Sequence, residues 1–515
     1  MTDYLQNIET LVGEKIIQGE LDAALNLIIR FVESIVADPR AIAKVFGSTI
    51  LDDLCQEIGA KTLSDQSCCV NEKSEIENKS IIYIATELYI TGGHTAVLED
   101  FVRFQPNKKH LLLITGTVGG DESEVIRNRF SHLSIDIYWA PTGTYLDKLC
   151  WLQQQLIVQQ PDQVFLFNHH QDAVAIAAVQ PNLVSQLIFY HHCDHQICLG
   201  LYLPHAIHID PHSFGYYNCR NNLGIKNNIY IPLIANDLNT RPHNIIFLAD
   251  GKLRTCSSGS GNKFEQYYSY TYVEEVPKIL AITGGYHIHI GHLSQHSLDT
   301  IESGLEKRGI EKDKFVYIPW VKSIWKAMHD QRIDVYISSF PLGGGKASVE
   351  VMGSGTPIIG HKNYHSSLLS GAEIIYPEAF FWSTLEELYS CLRSLTQEIL
   401  LEQSAFSRKH YDLNHTSKVF LECLEGLKLG KEKICPPQLK KYCRDELRVF
   451  LDDITPSKLE LERSQFQLSQ TQIELERSQN MIKAMESSKF WKLRKALFLV
   501  KQLIFSNENK SKNQP

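Results

Sequence analysis

The sequence has few of the features that mark secreted or membrane-spanning proteins. Its 12 cysteines include no CxxC pair, and apart from Cys68 and Cys69 they stand singly. This spacing argues against a disulfide scaffold and favours reduced thiols. No apolar run approaches the roughly 18 residues that a spanning helix needs. The first residues, MTDYLQNIETLVGEK, lack a basic stretch followed by an apolar one. We therefore expect a cytoplasmic protein.

The chain also lacks an excess of positive charge. Lys plus Arg total 51 and Asp plus Glu total 59, for a formal net charge of −8. Nothing global therefore indicates a nucleic-acid partner. A hydrophobic fraction of 43% and a charged fraction of 21% are typical of a folded, soluble protein. The 515 residues are enough for two or three domains, each with its own core.

The first 63 residues have the spacing of amphipathic helices. Apolar side chains recur on one helix face, for example at Leu21, Ala24, Leu25, Ile28 and Ile29. Residues 64–79, SDQSCCVNEKSEIENK, are polar and charged. We therefore expect an N-terminal helical module at 1–63 and a linker at 64–79.

From residue 80 the pattern changes to short apolar runs separated by segments of helix length. The runs are IIYIATELYI, HLLLITG, IDIYWA, QVFLFN, LIFYHH, AIHIDP and NIYIPL, and after a break near ANDLNTRPH they continue as NIIFLAD, KILAITG, KFVYIPW, DVYISSF, PIIGH and AEIIYP. This alternation predicts parallel sheets covered by helices on both faces. We expect an α/β protein with two Rossmann-like, doubly wound units, at 80–240 and 241–425, and a ligand cleft between them.

Beyond a connector at 426–456, the sequence predicts a helical tail. LERSQ recurs at 461 and 475, a spacing of two heptads. Leucines lie on one of the two core positions of each heptad, and glutamines lie on the other. The pattern at 457–485 therefore predicts either a weak coiled coil that forms a homo-oligomer or a solvent-exposed spacer helix. In 489–505, five basic residues flank an apolar face. This predicts either binding to an anionic membrane surface, on the inner face of the membrane, or docking on the protein itself. Residues 506–515 have the composition of a disordered end.

One glycine-rich turn lies between a predicted strand and a short helix, in FPLGGGKASVEVMGSGT at 340–356. The glycines are Gly343, Gly344 and Gly345. Glycine permits positive φ and close approach of a ligand, and the first amides of the helix, those of Lys346 and Ala347, form an anion site. Glu350 lies about one turn further on and is placed to accept bonds from sugar hydroxyls. A purely structural turn is the alternative.

The stretch GGGKASVEVMGSGTPIIG resembles the donor-nucleotide signature of GT-B glycosyltransferases, and the resemblance extends over about residues 80–425. It implies that the second unit holds a nucleotide diphosphate sugar, UDP- or GDP-linked, with Glu350 on the ribose. Many retaining members carry an acidic residue eight positions earlier, where this chain has Leu342. The chain is thus more similar to the O-GlcNAc-transferase-like and bacterial cytoplasmic N-glycosyltransferase group, which implies an inverting displacement.

A lysine in the second unit fits the same resemblance. Lys263 stands in CSSGSGNKF, where the related group places a lysine on the donor diphosphate. An ammonium at that position would neutralise charge that builds on the leaving nucleotide. The alternative is an ordinary surface lysine.

In the first unit, the strand IIYIATELY runs into ITGGHTAVLEDF, which places Gly92, Gly93, His94 and Thr95 at a strand-to-helix turn facing the cleft. The GGH turn resembles the loop that opens the acceptor-side domain of GT-B enzymes. Because imidazole titrates near neutral pH, His94 is a candidate general base for the acceptor. The alternative is a histidine that only caps the helix.

Two further strands end in histidines, in QVFLFNHHQD and LIFYHHCDHQ. Such a cluster suggests a metal site, but strand alternation points neighbours to opposite faces, so we predict no metal. His192 and Asp194 share one face and are candidate catalytic residues that contact substrate; satisfied structural histidines are the alternative. Asp210 and His212, in DPHSFGYY, are weaker candidates. HIHIGH at 287–292 is placed to flank the nucleotide.

These observations predict a metal-independent glycosyltransferase without a bound cofactor, a hexosyl- or N-acetylhexosaminyl-transferase. Its acceptor is a glycan, a lipid-linked glycan or a protein. Two alternatives stay open. A nucleotide-sugar epimerase has the same architecture and needs no acceptor. A non-catalytic scaffold would bind through its helical ends and keep only a vestigial nucleotide cleft.

Overall fold

A computed structural model of the protein describes residues 2–65, 80–90, 93–118, 123–266, 268–439, 445, 447–449 and 451. The predicted coiled coil at 457–485 and the predicted basic helix at 489–505 lie outside these ranges. No helix within the described ranges is long and apolar enough to cross a membrane.

Three helices come first: α1 (Thr2–Gln18), α2 (Leu21–Val36) and α3 (Thr49–Asp65). They share one apolar core with the first sheet, because Ile58 of α3 clusters with the buried strand residues Ile82 and Ile84. The apolar stripe predicted for α2 is buried at each of its five positions.

The first sheet has seven parallel strands in the order β3-β2-β1-β4-β5-β6-β7. They are β1 (Ser80–Ala85), β2 (Lys109–Ile114), β3 (Asp136–Trp139), β4 (Gln163–Phe167), β5 (Gln186–Tyr190), β6 (Ala206–Asp210) and β7 (Asn228–Tyr230). The helices between them are α4 (Gly93–Arg103), α5 (Ser123–Phe130), α6 (Tyr145–Gln159), α7 (Ala173–Ala178) and α8 (Ser213–Asn221). Each of the seven apolar runs predicted for this unit overlaps one of these strands, to within one residue at the start.

The second sheet has six parallel strands in the order β10-β9-β8-β11-β12-β13, which repeats the doubly wound pattern of the first. They are β8 (Arg254–Ser258), β9 (Tyr286–Ile290), β10 (Phe315–Ile318), β11 (Val335–Ile337), β12 (Ile358–His361) and β13 (Phe380–Trp382). The helices are α9 (Gly261–Phe264), α10 (Tyr272–Thr283), α11 (Gln295–Glu306), α12 (Ile324–Asp330), α13 (Lys346–Gly353), α14 (Leu385–Ser394), α15 (Gln397–Asn414) and α16 (Ser417–Lys428).

Three strand predictions in this unit are wrong. KILAITG lies largely in α10, where Val276, Ile279 and Leu280 form a buried helical face. NIIFLAD and AEIIYP form turns, and the strands follow them at RTCSS and FFW. A short apolar run has no period that separates a buried strand from a buried helix face, so the sequence pattern could not decide these cases.

The end of the second unit returns to the first. Phe420 of α16 packs on Phe101 of α4, with ring centroids 5.1 Å apart. Beyond this helix, Glu432 accepts a hydrogen bond of 2.9 Å from the hydroxyl of Tyr216 in α8. These contacts join the two units.

Two helical glycines test how closely the N-terminal helices pack. A Cβ added to Gly59 of α3 would overlap the carbonyl oxygen of Ala177 in α7, whereas a Cβ added to Gly13 of α1 would have no neighbour within 4 Å. We expect Gly59→Ala to destabilise the protein by about 1–3 kcal/mol because the helices must separate. Gly13→Ala should instead stabilise it by about 0.5–1 kcal/mol. Melting temperatures of the full chain measure both effects; equal melting temperatures would contradict the predicted close contact.

Candidate active site between the two sheets

The glycine turn lies between β11 and the first residue of α13. A Cβ on Gly343 would overlap the carbonyl oxygen of Ser370, and a Cβ on Gly345 would lie 3.0 Å from Cδ1 of Leu233. None of the three glycines is among the positive-φ glycines, so close approach of neighbouring atoms is what favours glycine at 343 and 345. Gly345 offers no side-chain cap, which leaves the first amides of α13 to other acceptors.

The structure brings Lys263 to this turn. Lys263 lies in α9, and its Nζ donates a hydrogen bond of 3.2 Å to the carbonyl oxygen of Gly343. The amide of Leu342 donates to the carbonyl oxygen of Lys263 at 3.4 Å, which couples the two segments. Burial lowers the pKa of Lys263 to about 8. The ammonium and the first turn of α13 can therefore act on the same anion.

Glu350 lies one turn into α13, as the spacing in the sequence predicts, and is half-buried. Its Oε2 accepts hydrogen bonds of 3.1 Å from the Ser323 hydroxyl and of 3.1 Å from the Trp325 amide, at the start of α12. The carboxylate thus has a structural role as well. Its contact with a ribose stays a prediction.

The side chain of Lys346 is turned towards the first unit. Its ammonium forms an ion pair with Asp100 of α4, and both side chains are largely buried. A Cβ on Gly93 would lie 3.4 Å from the Cβ of Lys346, so the GGH turn and the glycine turn face each other. Gly92 lies outside the described residues. Because the ammonium of Lys346 is paired with Asp100, Lys346 can bind an anion mainly through its backbone amide. Ala347 can do the same.

His94, His169 and His192 come together at the carboxyl edge of the first sheet. The rings of His94 and His192 stack, with centroids 4.0 Å apart and planes inclined by 24°. Burial and the two neighbouring imidazoles hold the pKa of His94 well below its usual value, and burial lowers the pKa of His169 to about 4. His94 is therefore neutral at physiological pH and is a weak base. Its catalytic role stays a prediction.

The same three histidines have ligand atoms within 4.8 Å of one another, as a metal site requires. The nitrogens of His94 and His192 have no hydrogen-bond partner among the described residues. The absence of a metal at this cluster stays a prediction.

Asp194 forms a dyad with His212, a residue to which the sequence pattern assigned little weight. The Nδ1 of His212 lies 2.7 Å from Oδ2 of Asp194. Burial by itself would lower the pKa of His212, but the Asp194 carboxylate outweighs it, and the net shift is upward. A Cβ on Gly345 would lie 3.3 Å from Nε2 of His212. An oriented imidazole of raised basicity thus faces the glycine turn from the opposite unit.

Glu373 lies near this dyad, close enough to interact electrostatically with His212 and Asp194. Burial raises the pKa of Glu373 to about 7. A carboxyl group that titrates near neutrality beside an imidazole is a common feature of catalytic sites. The sequence offered no signal for it, because Glu373 stands in a segment predicted as a strand.

The first two histidines of HIHIGH are core residues, whereas His292 is exposed; that this segment flanks the nucleotide stays a prediction. His287 and His289 lie in β9 and are buried, and the hydroxyl of Tyr272 is 2.8 Å from Nε2 of His287 and 2.8 Å from Nδ1 of His289. Burial lowers their pKa values to about 3 and about 4. They are neutral core residues.

No protein-family model matches the sequence, and no curated protein matches it. Solved structures do match. HepE from Anabaena, in complex with UDP, has a TM-score of 0.51 at 13% identity, over 68% of this chain and 100% of HepE. A glycosyltransferase from Rickettsia africae ESF-5 has a TM-score of 0.51 at 13% identity, over 68% of this chain and 98% of its own.

A third structure, a mutant of TarM from S. aureus in complex with fondaparinux, alpha-GlcNAc-glycerol and UDP, has a TM-score of 0.52 at 8% identity. It covers 68% of this chain and 99% of TarM. Together with the two sheets of the same order, these similarities confirm the predicted GT-B fold. The narrower likeness to the O-GlcNAc-transferase-like group stays a prediction.

Proposed function

We propose that this protein transfers a sugar from a nucleoside diphosphate sugar to an acceptor bound between the two sheets. The observation that carries the proposal is the meeting of Lys263 and the first turn of α13 on one side with the Asp194–His212 dyad on the other. The first group suits a diphosphate and the second suits proton removal. UDP-linked donors are the first choice, since HepE and TarM were solved with UDP.

In the proposed reaction, the acceptor loses a proton to Nε2 of His212 and attacks the anomeric carbon of the donor sugar. The bond from that carbon to the diphosphate oxygen breaks, and its electron pair leaves with the nucleotide. Asp194 stabilises the imidazolium that forms. Lys263 and the α13 amides stabilise the leaving diphosphate, so the step needs no metal ion at the phosphates. Because Leu342 replaces the acid of retaining relatives, we infer an inverting outcome.

The acceptor is a glycan, a lipid-linked glycan or a protein, and the sugar is a hexose or an N-acetylhexosamine. A calorimetric screen of the full chain with UDP- and GDP-sugars tests the donor site. An NMR assay of the products then tests turnover with each acceptor class. Absence of binding to every donor would contradict the proposal. Conversion of the donor sugar without an acceptor would identify an epimerase, and binding without turnover would identify a scaffold.

Glu350→Ala tests the ribose contact. We expect the dissociation constant of the bound nucleotide to rise about tenfold or more, because two hydrogen bonds from the ribose to a charged acceptor are lost. Calorimetry with UDP measures this effect. The substitution also removes the bonds to Ser323 and Trp325, which should destabilise the start of α12 by about 1 kcal/mol.

Ser323→Ala is the matched control for Glu350→Ala. It removes the hydroxyl bond to Glu350 and the side-chain cap of α12 but keeps the carboxylate. We expect this control to lower the melting temperature to a similar extent while leaving nucleotide affinity within about threefold of the original protein. Equal losses of affinity in the two variants would refute a direct ribose contact.

A further inference from the structure

Four side chains that can bind a metal converge beneath β5 and β6, on the face of the first sheet opposite His192. They are His191, His208, Asp210 and Cys219, and all four are buried. Oδ1 of Asp210 is 3.0 Å from Nδ1 of His191 and 3.2 Å from Nε2 of His208. Sγ of Cys219 is 3.5 Å from the His191 nitrogen, 3.7 Å from the His208 nitrogen and 3.5 Å from the Asp210 oxygen.

These separations, 3.0–3.7 Å, lie within about 0.3 Å of the edges of a tetrahedral metal site. With bonds of about 2.0–2.1 Å to nitrogen or oxygen and about 2.3 Å to sulfur, a tetrahedral Zn²⁺ holds its ligand atoms about 3.3–3.6 Å apart. The imidazoles of His191 and His208 are close to perpendicular, with planes at 80°, so they do not stack as His94 and His192 do. The arrangement therefore suits a common central ion.

Hydrogen bonding alone accounts poorly for the same cluster. Three donors, the two imidazoles and the thiol, lie within reach of one oxygen, Oδ1 of Asp210. A carboxylate oxygen has about two lone pairs, so it cannot satisfy three donors equally well. A cation in the centre gives each of the four atoms a partner.

Surrounding residues hold the ligands in place. Asn228 donates a hydrogen bond of 2.8 Å to Oδ2 of Asp210, and Arg220 donates one of 2.9 Å to Oδ1 of Asn228. These bonds fix the carboxylate with its other oxygen towards the cluster. Partners of this kind usually orient the ligands of protein metal sites.

We propose that His191, His208, Asp210 and Cys219 bind one structural Zn²⁺ ion. Two imidazoles, a carboxylate and a thiolate form a closed set of four ligands, and the two anionic ligands balance the charge of the ion. Cys219 releases its thiol proton when it binds. The ion would join β5 and β6 to α8 and so fix the helix that His212 precedes. The ion would take no part in the proposed reaction, but its ligands lie next to the dyad, since a Cβ on Gly215 would be 2.9 Å from Oδ2 of Asp194 and 3.4 Å from Oδ1 of Asp210.

The metal content of the full chain tests this proposal. The protein, purified without metal-affinity chromatography and dialysed, should contain about one zinc per chain by mass spectrometry, and Cys219→Ser should contain less than about a tenth of that amount. Cys256→Ser is the control, because Cys256 is equally buried but lies in β8 of the second sheet. It should retain the zinc. A zinc content below about a tenth of an equivalent in the original protein would overturn the proposal. Zinc that is retained by Cys219→Ser but lost from His94→Ala would overturn it as well, because the ion would then lie at the His94 cluster.

Cobalt provides a second readout that does not depend on whether the Cys219 variant folds. The original protein, produced in cells grown with cobalt, should show a thiolate-to-cobalt charge-transfer band in the near ultraviolet. It should also show the strong visible bands of a tetrahedral cobalt site. If Cys219→Ser folds, it should lose the charge-transfer band. A weak octahedral spectrum, or a charge-transfer band that Cys219→Ser keeps, would refute the assignment.

Discussion

Replacing His212 by alanine is expected to lower kcat for sugar transfer by about 100- to 10,000-fold, the usual contribution of a general base. The physical reason is that Nε2 of His212 faces the glycine turn while Nδ1 is 2.7 Å from Asp194, so its orientation and its basicity are both set. Steady-state kinetics at saturating donor measure the effect. Donor affinity should change little, because the imidazole acts on the acceptor.

His195→Ala is the control for His212→Ala. His195 lies 4.0 Å from the other carboxylate oxygen of Asp194 and is more exposed than His212. We expect its removal to change kcat by less than about threefold, as for surface groups outside the reaction. A His212→Ala variant with nearly full activity would show that another residue, such as His94, removes the proton.

Asp194→Asn should change the pH dependence of activity. A purely structural role of Asp194 would not produce this change. The carboxylate raises the pKa of His212, and only the neutral imidazole can act as a base. Activity should therefore fall as the pH drops through the raised pKa of the original protein. In Asp194→Asn the pKa of His212 is lower, so the acid limb of the kcat/KM profile should move to lower pH, while the maximal rate falls because the imidazolium is no longer stabilised. An unmoved acid limb would contradict the dyad.

Lys263→Met is expected to lower kcat/KM for the donor by about 100- to 1,000-fold, the effect of removing one group that stabilises developing charge. The ammonium donates to the carbonyl oxygen of Gly343 at the glycine turn and is half-buried. Kinetics and UDP calorimetry measure the loss. Because desolvation makes the charge of Lys263 unfavourable for folding, as its lowered pKa indicates, the melting temperature should not decrease.

The control for this substitution is Lys252→Ala, an exposed lysine of the same unit, which should leave kcat/KM within about twofold. The pH dependence gives a further check. The pKa of Lys263 is lowered to about 8, so the ammonium is present below that pH and is lost above it. UDP affinity should therefore weaken as the pH rises through about 8 in the original protein and stay flat in Lys263→Met. A parallel decline in both proteins would contradict the assignment.

Most strands of the first sheet were predictable because they are near-continuous apolar runs with both faces buried; the edge strand β3, with Asp136 and Tyr138 exposed, is the exception. The first strand of the second sheet was not predictable, because RTCSS has no apolar run and four of its five side chains are polar. Burial of these polar side chains is stabilised by hydrogen bonds to residues that are distant in sequence and come close only in the folded chain. The Ser257 hydroxyl donates to the carbonyl oxygen of Ile337 at 2.9 Å, and Thr255 Oγ1 is 2.7 Å from Nδ1 of His287.

The sequence by itself determined the strand, glycine turn and helix at 335–353, the position of Glu350 on that helix and the resemblance to GT-B enzymes. These are local features, in which spacing along the chain sets spacing in space. The alternation that separates His191 from His192 was local as well, and the structure keeps it.

Only the tertiary structure decided which residues those side chains meet. Because β6 lies beside β5 in the sheet, His191 meets His208 and Asp210, while His192 on the other face meets His94. The pairing of Asp194 with His212 and that of Lys346 with Asp100 likewise depend on how strands and units are placed. Strand order and domain docking join residues far apart in sequence, and no pattern within one segment specifies them.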